Sequence, residues 1–199
     1  MVNVMVSNRK QSAAKDSDLQ KVSDEVTKEY QVYTMTSDEE SSSWRPIICK
    51  HDHAPVTEGL FKGGVLYYGA KSNSDKSVVM SFNVSSEDFS VIELPKEVEL
   101  IHHWRLVNYK GDIALMHYGE YYRLTRSGVT DMWVRNEVDG NWERNSIKIS
   151  HWKETFDNKE FHFKATIGTK ELAFAPHPLD WGTTLCVVFR CRRNELQKI

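Results

Sequence analysis

Short runs of alternating apolar and polar residues, broken by glycine-containing turns, follow one another along most of this chain. In Ser77-Val78-Val79-Met80-Ser81-Phe82-Asn83-Val84, residues Val78, Met80, Phe82 and Val84 fall on one face, the period of a strand and not of a helix. Phe161, Phe163 and Ala165 alternate in the same way against His162 and Lys164. Runs of this kind predict strands at 30–35, 45–49, 64–69, 78–84, 89–94, 104–109, 113–118, 132–135, 142–149, 161–167, 171–175 and 184–190. No long segment carries an apolar stripe at helical spacing, so the expected class is all-β with antiparallel strands.

The turns have an order of their own. Lys62-Gly63-Gly64, Lys110-Gly111-Asp112, Ser127-Gly128, Asp139-Gly140-Asn141 and Gly168-Thr169-Lys170 punctuate the strands. Asp139-Gly140, between a strand bearing Trp133 and one bearing Trp142, predicts a hairpin. A glycine turn leading into a small apolar strand recurs at Gly63/Gly64, Gly111 and Gly168, at intervals of about fifty residues, close to a kelch-type propeller blade.

Composition divides the chain. Residues 1–28 contain no glycine, proline or aromatic residue and are rich in Ser, Lys, Asp and Gln, so a disordered or weakly helical polar tail is expected there. Residues 29–199 hold all six tryptophans and are expected to form the folded domain. The polar stretch 37–43 reads as a loop.

Charge and cysteine usage narrow the function. The formal net charge is −2 with acids and bases mixed, and the one basic cluster is Arg190, Arg192 and Arg193, so nucleic acid is not an expected partner. Cys49, Cys186 and Cys191 form an odd set without a CxxC pair, which suits a reducing compartment, cytoplasmic or nuclear. The first residues do not read as a signal peptide, and no run approaches the ~18 apolar residues of a membrane span. Asn83-Val84-Ser85 fits the glycosylation sequon, a chance match in such a compartment.

Candidate chemistry is thin. Cys49-Lys50-His51-Asp52-His53 is the nearest approach to a metal-binding cluster, but no partner pair stands at finger-like spacing. His102-His103 offers less. Gly64 to Ser72 nearly spells a phosphate-binding loop, yet Ala70 separates glycine from lysine and an apolar strand fills the loop position. No GxSxG elbow occurs, and no cysteine sits in a nucleophile context. The chain is therefore expected to have no catalytic, cofactor-binding or metal-binding residues, and its substrate-binding residues are not legible. Aromatics are the better clue. Core packing is the ordinary role of a residue such as Trp133 or Trp152, but Tyr118, Tyr121 and Tyr122 flank a Gly119-Glu120 turn, where loops on a rigid frame carry recognition.

A set of short motifs in a fixed order adds to this reading. Trp44-Arg45-Pro46-Ile47 is followed by Cys49 and His51, Pro55-Val56-Thr57-Glu58-Gly59 and Gly64-Val65-Leu66-Tyr67-Tyr68. Val79 through Phe89, Tyr109-Lys110-Gly111, Met132-Trp133-Val134 and Trp142 come next. The chain from about Tyr30 onward resembles the F-box-associated domain, type 3, of plant F-box proteins. That resemblance implies a kelch-like β-propeller that holds a target protein for a Skp–cullin–F-box ubiquitin ligase and does no chemistry itself. Skp adaptor and cullin are expected partners only if an F-box is supplied elsewhere, since residues 1–28 carry one leucine, Leu19, and no proline. Residues 185–190 read as a blade strand and 194–199 as the start of the next, so an incomplete propeller, cut short at its C-terminus, is expected. The alternatives are a degenerate copy without activity and a propeller that binds a small ligand.

Overall fold

The computed structural model describes residues 2–7, 29–34, 43–99, 101–117, 129–149, 161–169, 171–176, 187–192 and 195–198. These form strands β1 (Val2–Ser7), β2 (Glu29–Thr34), β3 (Ser43–Ile47), β4 (His53–Lys62), β5 (Val65–Ser72), β6 (Ser77–Asn83), β7 (Phe89–Ile92), β8 (Trp104–Tyr109) and β9 (Asp112–His117). They continue with β10 (Val129–Arg135), β11 (Trp142–Ile149), β12 (Phe161–Ile167), β13 (Glu171–Pro176), β14 (Val187–Arg192) and β15 (Glu195–Lys198). A 3-10 turn at Ile101–His103 precedes β8. Among the described residues no helix is long and apolar enough to cross a membrane.

The strands make antiparallel meanders of four, each a propeller blade: β4-β5-β6-β7, β8-β9-β10-β11 and β12-β13-β14-β15. Before them lies the three-stranded sheet β1-β2-β3. The second and third blades merge into one eight-stranded sheet through a parallel pairing of β11 with β15, at Lys148↔Glu195 and Ile149↔Leu196. Among the described residues the sheets do not close into a ring. The recurring glycines mark equivalent places. Gly63 and Gly64, Gly111, and Gly168 form the first hairpin turn of each blade, and all have positive φ (58°, 80°, 100° and 62°), where a side chain would be strained.

Face-to-face stacking of blades buries the core. One cluster lies between the second and third blades: Val107, Tyr109, Ala114, Met116, Met132, Ile147 and Ile149 meet Phe163, Leu172 and Phe174. Another packs the opposite face of the second blade, Trp104, Leu106 and Leu115, against Val79 of the first, with Val98 and Ile101 of the crossover between them. Alternation in β8 therefore sends apolar side chains both ways, and the second blade is covered on both faces. A third cluster, Tyr68, Ala70, Val78 and Met80, faces the three-stranded sheet, whose Tyr30 ring lies 5.5 Å from that of Phe89.

Two strand readings need revision and one needs extension. Within the expected polar tail, Val2–Ser7 is a strand paired along its length with β2; the alternation Val2, Val4, Val6 is its sequence signal. Residues 8–28 lie outside the described residues. Strand β4 was not foreseen, because Pro55 and Gly59 interrupt its pattern. In β12 the expected alternation breaks: Phe163 pairs with Phe174 and Ala165 with Ala173, leaving Lys164 as an extra residue, so Phe163 is buried while Ala165 is exposed.

Candidate functional site

Strands β4, β8 and β12 are the first strands of the three blades, and β8 contacts both of the others. Two of the three are bulged. In β4, Pro55 pairs with Ala70 and Gly59 with Tyr68, so Val56, Thr57 and Glu58 stand opposite Gly69 alone. Extra residues of this kind bend a strand and re-aim its side chains. The backbone cost is met locally: Gly69 N–H donates to Thr57 Oγ1 at 2.7 Å, and the Thr57 hydroxyl donates to Glu58 O at 3.0 Å. Position 69 has to be glycine, since a Cβ there would meet Ile101 Cγ1 at 2.5 Å and Thr57 Cγ2 at 2.7 Å.

The bulges flank Arg105 of β8. Its Nη1 donates to the carbonyl of Lys164, the extra residue of β12, at 2.6 Å. Its Nη2 lies 3.7 Å from Glu58 Oε2 on the β4 bulge. One guanidinium thus ties three blades together at their inner edges. Beside it opens a cleft of about 420 Å3 lined by Pro55, Val56, Thr57, Glu58, Trp104 and Arg105. Trp104 is buried, with its ring edge-on to that of His117 at 4.7 Å. Burial, with the neighbouring His103 adding to it, holds His117 below the ordinary histidine range.

The metal-like sequence cluster has another role. His53 is buried at the start of β4 and both of its ring nitrogens face partners. Nδ1 lies 2.7 Å from His51 O and Nε2 lies 2.7 Å from the Tyr68 hydroxyl. The Tyr30 hydroxyl, 3.1 Å from Nδ1, donates to His53 O at 3.0 Å. This network assigns the neutral imidazole with its proton on Nδ1, so that Nδ1–H donates to His51 O and Nε2 accepts from Tyr68. Cys49 Sγ donates to His51 O and lies 3.9 Å from Nδ1. Burial pushes the Tyr30 hydroxyl up to about 12, with Cys49 adding to it, and raises the Tyr68 hydroxyl and the Cys49 thiol as well. Among the described residues no group of three or more His, Cys, Asp or Glu side chains is placed to hold a metal ion.

The near-miss phosphate loop is strand β5, paired with β4 and β6 on its two sides. Trp133 packs partly buried against the cluster between the first and second blades. Tyr118, Tyr121, Tyr122 and Trp152 lie outside the described residues. Asn83 caps its own turn, its Oδ1 accepting from Ser85 N and Ser86 N at 2.9 Å and 3.2 Å.

Three consecutive four-stranded blades are the architecture of a β-propeller, and comparison with known sequences names the family. Residues 4–199 match the model of the F-box associated beta propeller domain. The chain belongs to the F-box-associated β-propeller family. Among members from Arabidopsis thaliana, the chain is 76% identical over 152 residues to "Putative F-box protein At1g70960", covering 76% of this chain and 40% of that protein. It is 56% identical over 164 residues to "Putative F-box protein At1g70380", covering 81% and 43%. It is 36% identical over 154 residues to "F-box/kelch-repeat protein At3g04660", covering 75% and 37%. The chain therefore spans well under half the length of these relatives.

Within this F-box-associated domain, Glu58, Arg105 and Lys164 were missed by sequence reading because they come from three different blades. The available signal was Pro55 and Gly59 inside an otherwise strand-like run, which marks an edge or a bulge.

Proposed function

We propose that this chain holds target proteins for a Skp–cullin–F-box ubiquitin ligase, in the cytosol or nucleus, and supplies binding and not chemistry. The observation that carries this reading is the family match across residues 4–199, with relatives named as F-box proteins. Contact with the Skp adaptor and the cullin would come through an F-box, in the same polypeptide or in a partner. The geometry fits a holding role: the polar groups beside the cleft fix the strands that line it, and Glu58 and Val56 face outward.

The test is affinity capture of the tagged chain from the cells that make it, with and without a proteasome inhibitor. A small set of captured proteins should accumulate when the proteasome is blocked. Recovery of nothing beyond the background of an unrelated β-propeller would overturn the reading. The cleft volume, about 420 Å3, also lies in the range of small-molecule sites and favours a small ligand as the second reading. A thermal-shift screen against common metabolites separates the two.

A further inference from the structure

We propose that the cleft between β4 and β8 takes a lysine or arginine side chain, presented by an extended segment of a target protein, with Glu58 as its anionic partner. This rests on the target-holding role above and specifies its chemistry.

The polar groups around the cleft decide the sign of the ligand. The Thr57 hydroxyl accepts from Gly69 N–H and donates to Glu58 O, so it is committed to the bulge. Arg105 donates to the Lys164 carbonyl at 2.6 Å, a short bond that fixes the guanidinium against the third blade. Glu58 differs from both. Its side chain is 82% exposed, and Arg105 stands 3.7 Å away, close enough for attraction but beyond hydrogen-bond reach. Carboxylate oxygens held by charge but not by hydrogen bonds keep their acceptor capacity for an incoming ammonium or guanidinium. Each charge of the pair repels its like, but the two are not equally reachable: Arg105 is 30% exposed and already donates to Lys164 O, whereas Glu58 is 82% exposed, so a cation meets its partner first.

The apolar lining fits the same ligand. Exposed Pro55 borders the bulge and exposed Val56 stands on it with Glu58, and Trp104 lines the cleft from β8. Lysine and arginine carry a methylene stem that lies along apolar surface while the charged head reaches a polar partner. Strand β4 is the edge of its sheet, but its bulge and Pro55 spoil it as a template for an added strand. Recognition therefore runs through side chains and not through a β-ladder.

The probes are three nine-residue Gly/Ser peptides whose central residues are Val-Lys-Val, Val-Glu-Val or Val-Leu-Val, titrated into the isotope-labelled full chain and followed by NMR. The lysine peptide should shift the amides of residues 56–58 and 105, weaken with added salt, and lose about tenfold in affinity with Glu58→Gln, the size of one charge-assisted contact. Glu143→Gln, an exposed acid on the outer strand β11, should leave binding unchanged. Equal binding of all three peptides, binding of none, or indifference to Glu58→Gln would overturn the inference. Those outcomes leave the accumulation of captured proteins under proteasome block to be judged separately. Loss of that accumulation with peptide selectivity intact would overturn the recruiting role and leave the cation site standing.

Discussion

Two polar clusters sit at the edges of stacked blades, and they have opposite characters. The cluster around His53 is closed: an imidazole 1% exposed, two tyrosine hydroxyls and two peptide carbonyls satisfy one another between the three-stranded sheet and the first blade. The cluster around Arg105 is open: a guanidinium donates to a bulge carbonyl, while the carboxylate beside it is 82% exposed at a cleft. A buried polar network is stable only when each member is paired, so the first can specify packing but has nothing left to offer a ligand. The second gives up stability for availability. The cluster that looks most like chemistry in the sequence is structural, and the one proposed for recognition carries no chemical motif.

The largest effect should come from breaking the closed cluster. His53→Leu leaves the Tyr68 hydroxyl and the His51 carbonyl without their imidazole partner, and should cost about 2–4 kcal/mol by urea denaturation. Peptide binding by the fraction that remains folded should be unaffected. Gly69→Val couples the two regions. Its new side chain drives into Ile101 and Thr57, with an expected loss of about 1–3 kcal/mol, and because Thr57 shapes the β4 bulge, peptide selectivity should fall as well.

Alkaline pH loosens the closed cluster alone. The Tyr30 hydroxyl titrates at about 12 in the fold against 10.0 in the free side chain, and that of Tyr68 is raised in the same direction. The contribution of Tyr30 is complete below about pH 10 and is lost as pH climbs through 12, and that of Tyr68 changes in the same direction, because the unfolded chain releases these protons more readily. Tyrosinate absorbance and denaturant midpoints measured together across that window check the coupling. The smallest effect on stability belongs to Glu58→Gln, within about 0.5 kcal/mol of wild type, as for other exposed ion pairs. If it proved strongly destabilising, Glu58 would be a structural partner of Arg105, and the contrast between the clusters would collapse.

What was legible in the sequence follows the same divide. Strands β5, β6, β8 and β9 announce themselves by dense apolar, β-branched and aromatic runs, because each is a strand that stacking covers. The blade repeat was visible because one backbone requirement, positive φ at the first hairpin, falls on glycine in all three blades. Strand β4 was hidden by Pro55 and Gly59, the same residues that bracket its bulge. The alternation across Phe163 and Ala165 misled because one extra residue, Lys164, flips every side chain beyond it. The cleft could not be read at all. Its members become neighbours only through blade stacking, and no local periodicity encodes how one blade's first strand meets the next.

The parallel pairing of β11 with β15 bears on how the molecule comes apart. The second and third blades are tied at their outer edges by backbone bonds through that pairing, and at their inner edges by the bond from Arg105 to Lys164. Among the described residues the first blade has no ladder to the second; core packing joins them, supplemented by the Trp142 Nε1–H bond to Glu93 O and the ion pairs of Lys62 with Glu137 and Arg105 with Glu58. Local opening follows such seams. The second and third blades should therefore exchange their amide protons as one cooperative body, with the first blade peeling away ahead of them, and the seam that yields first is the one on which the cleft opens.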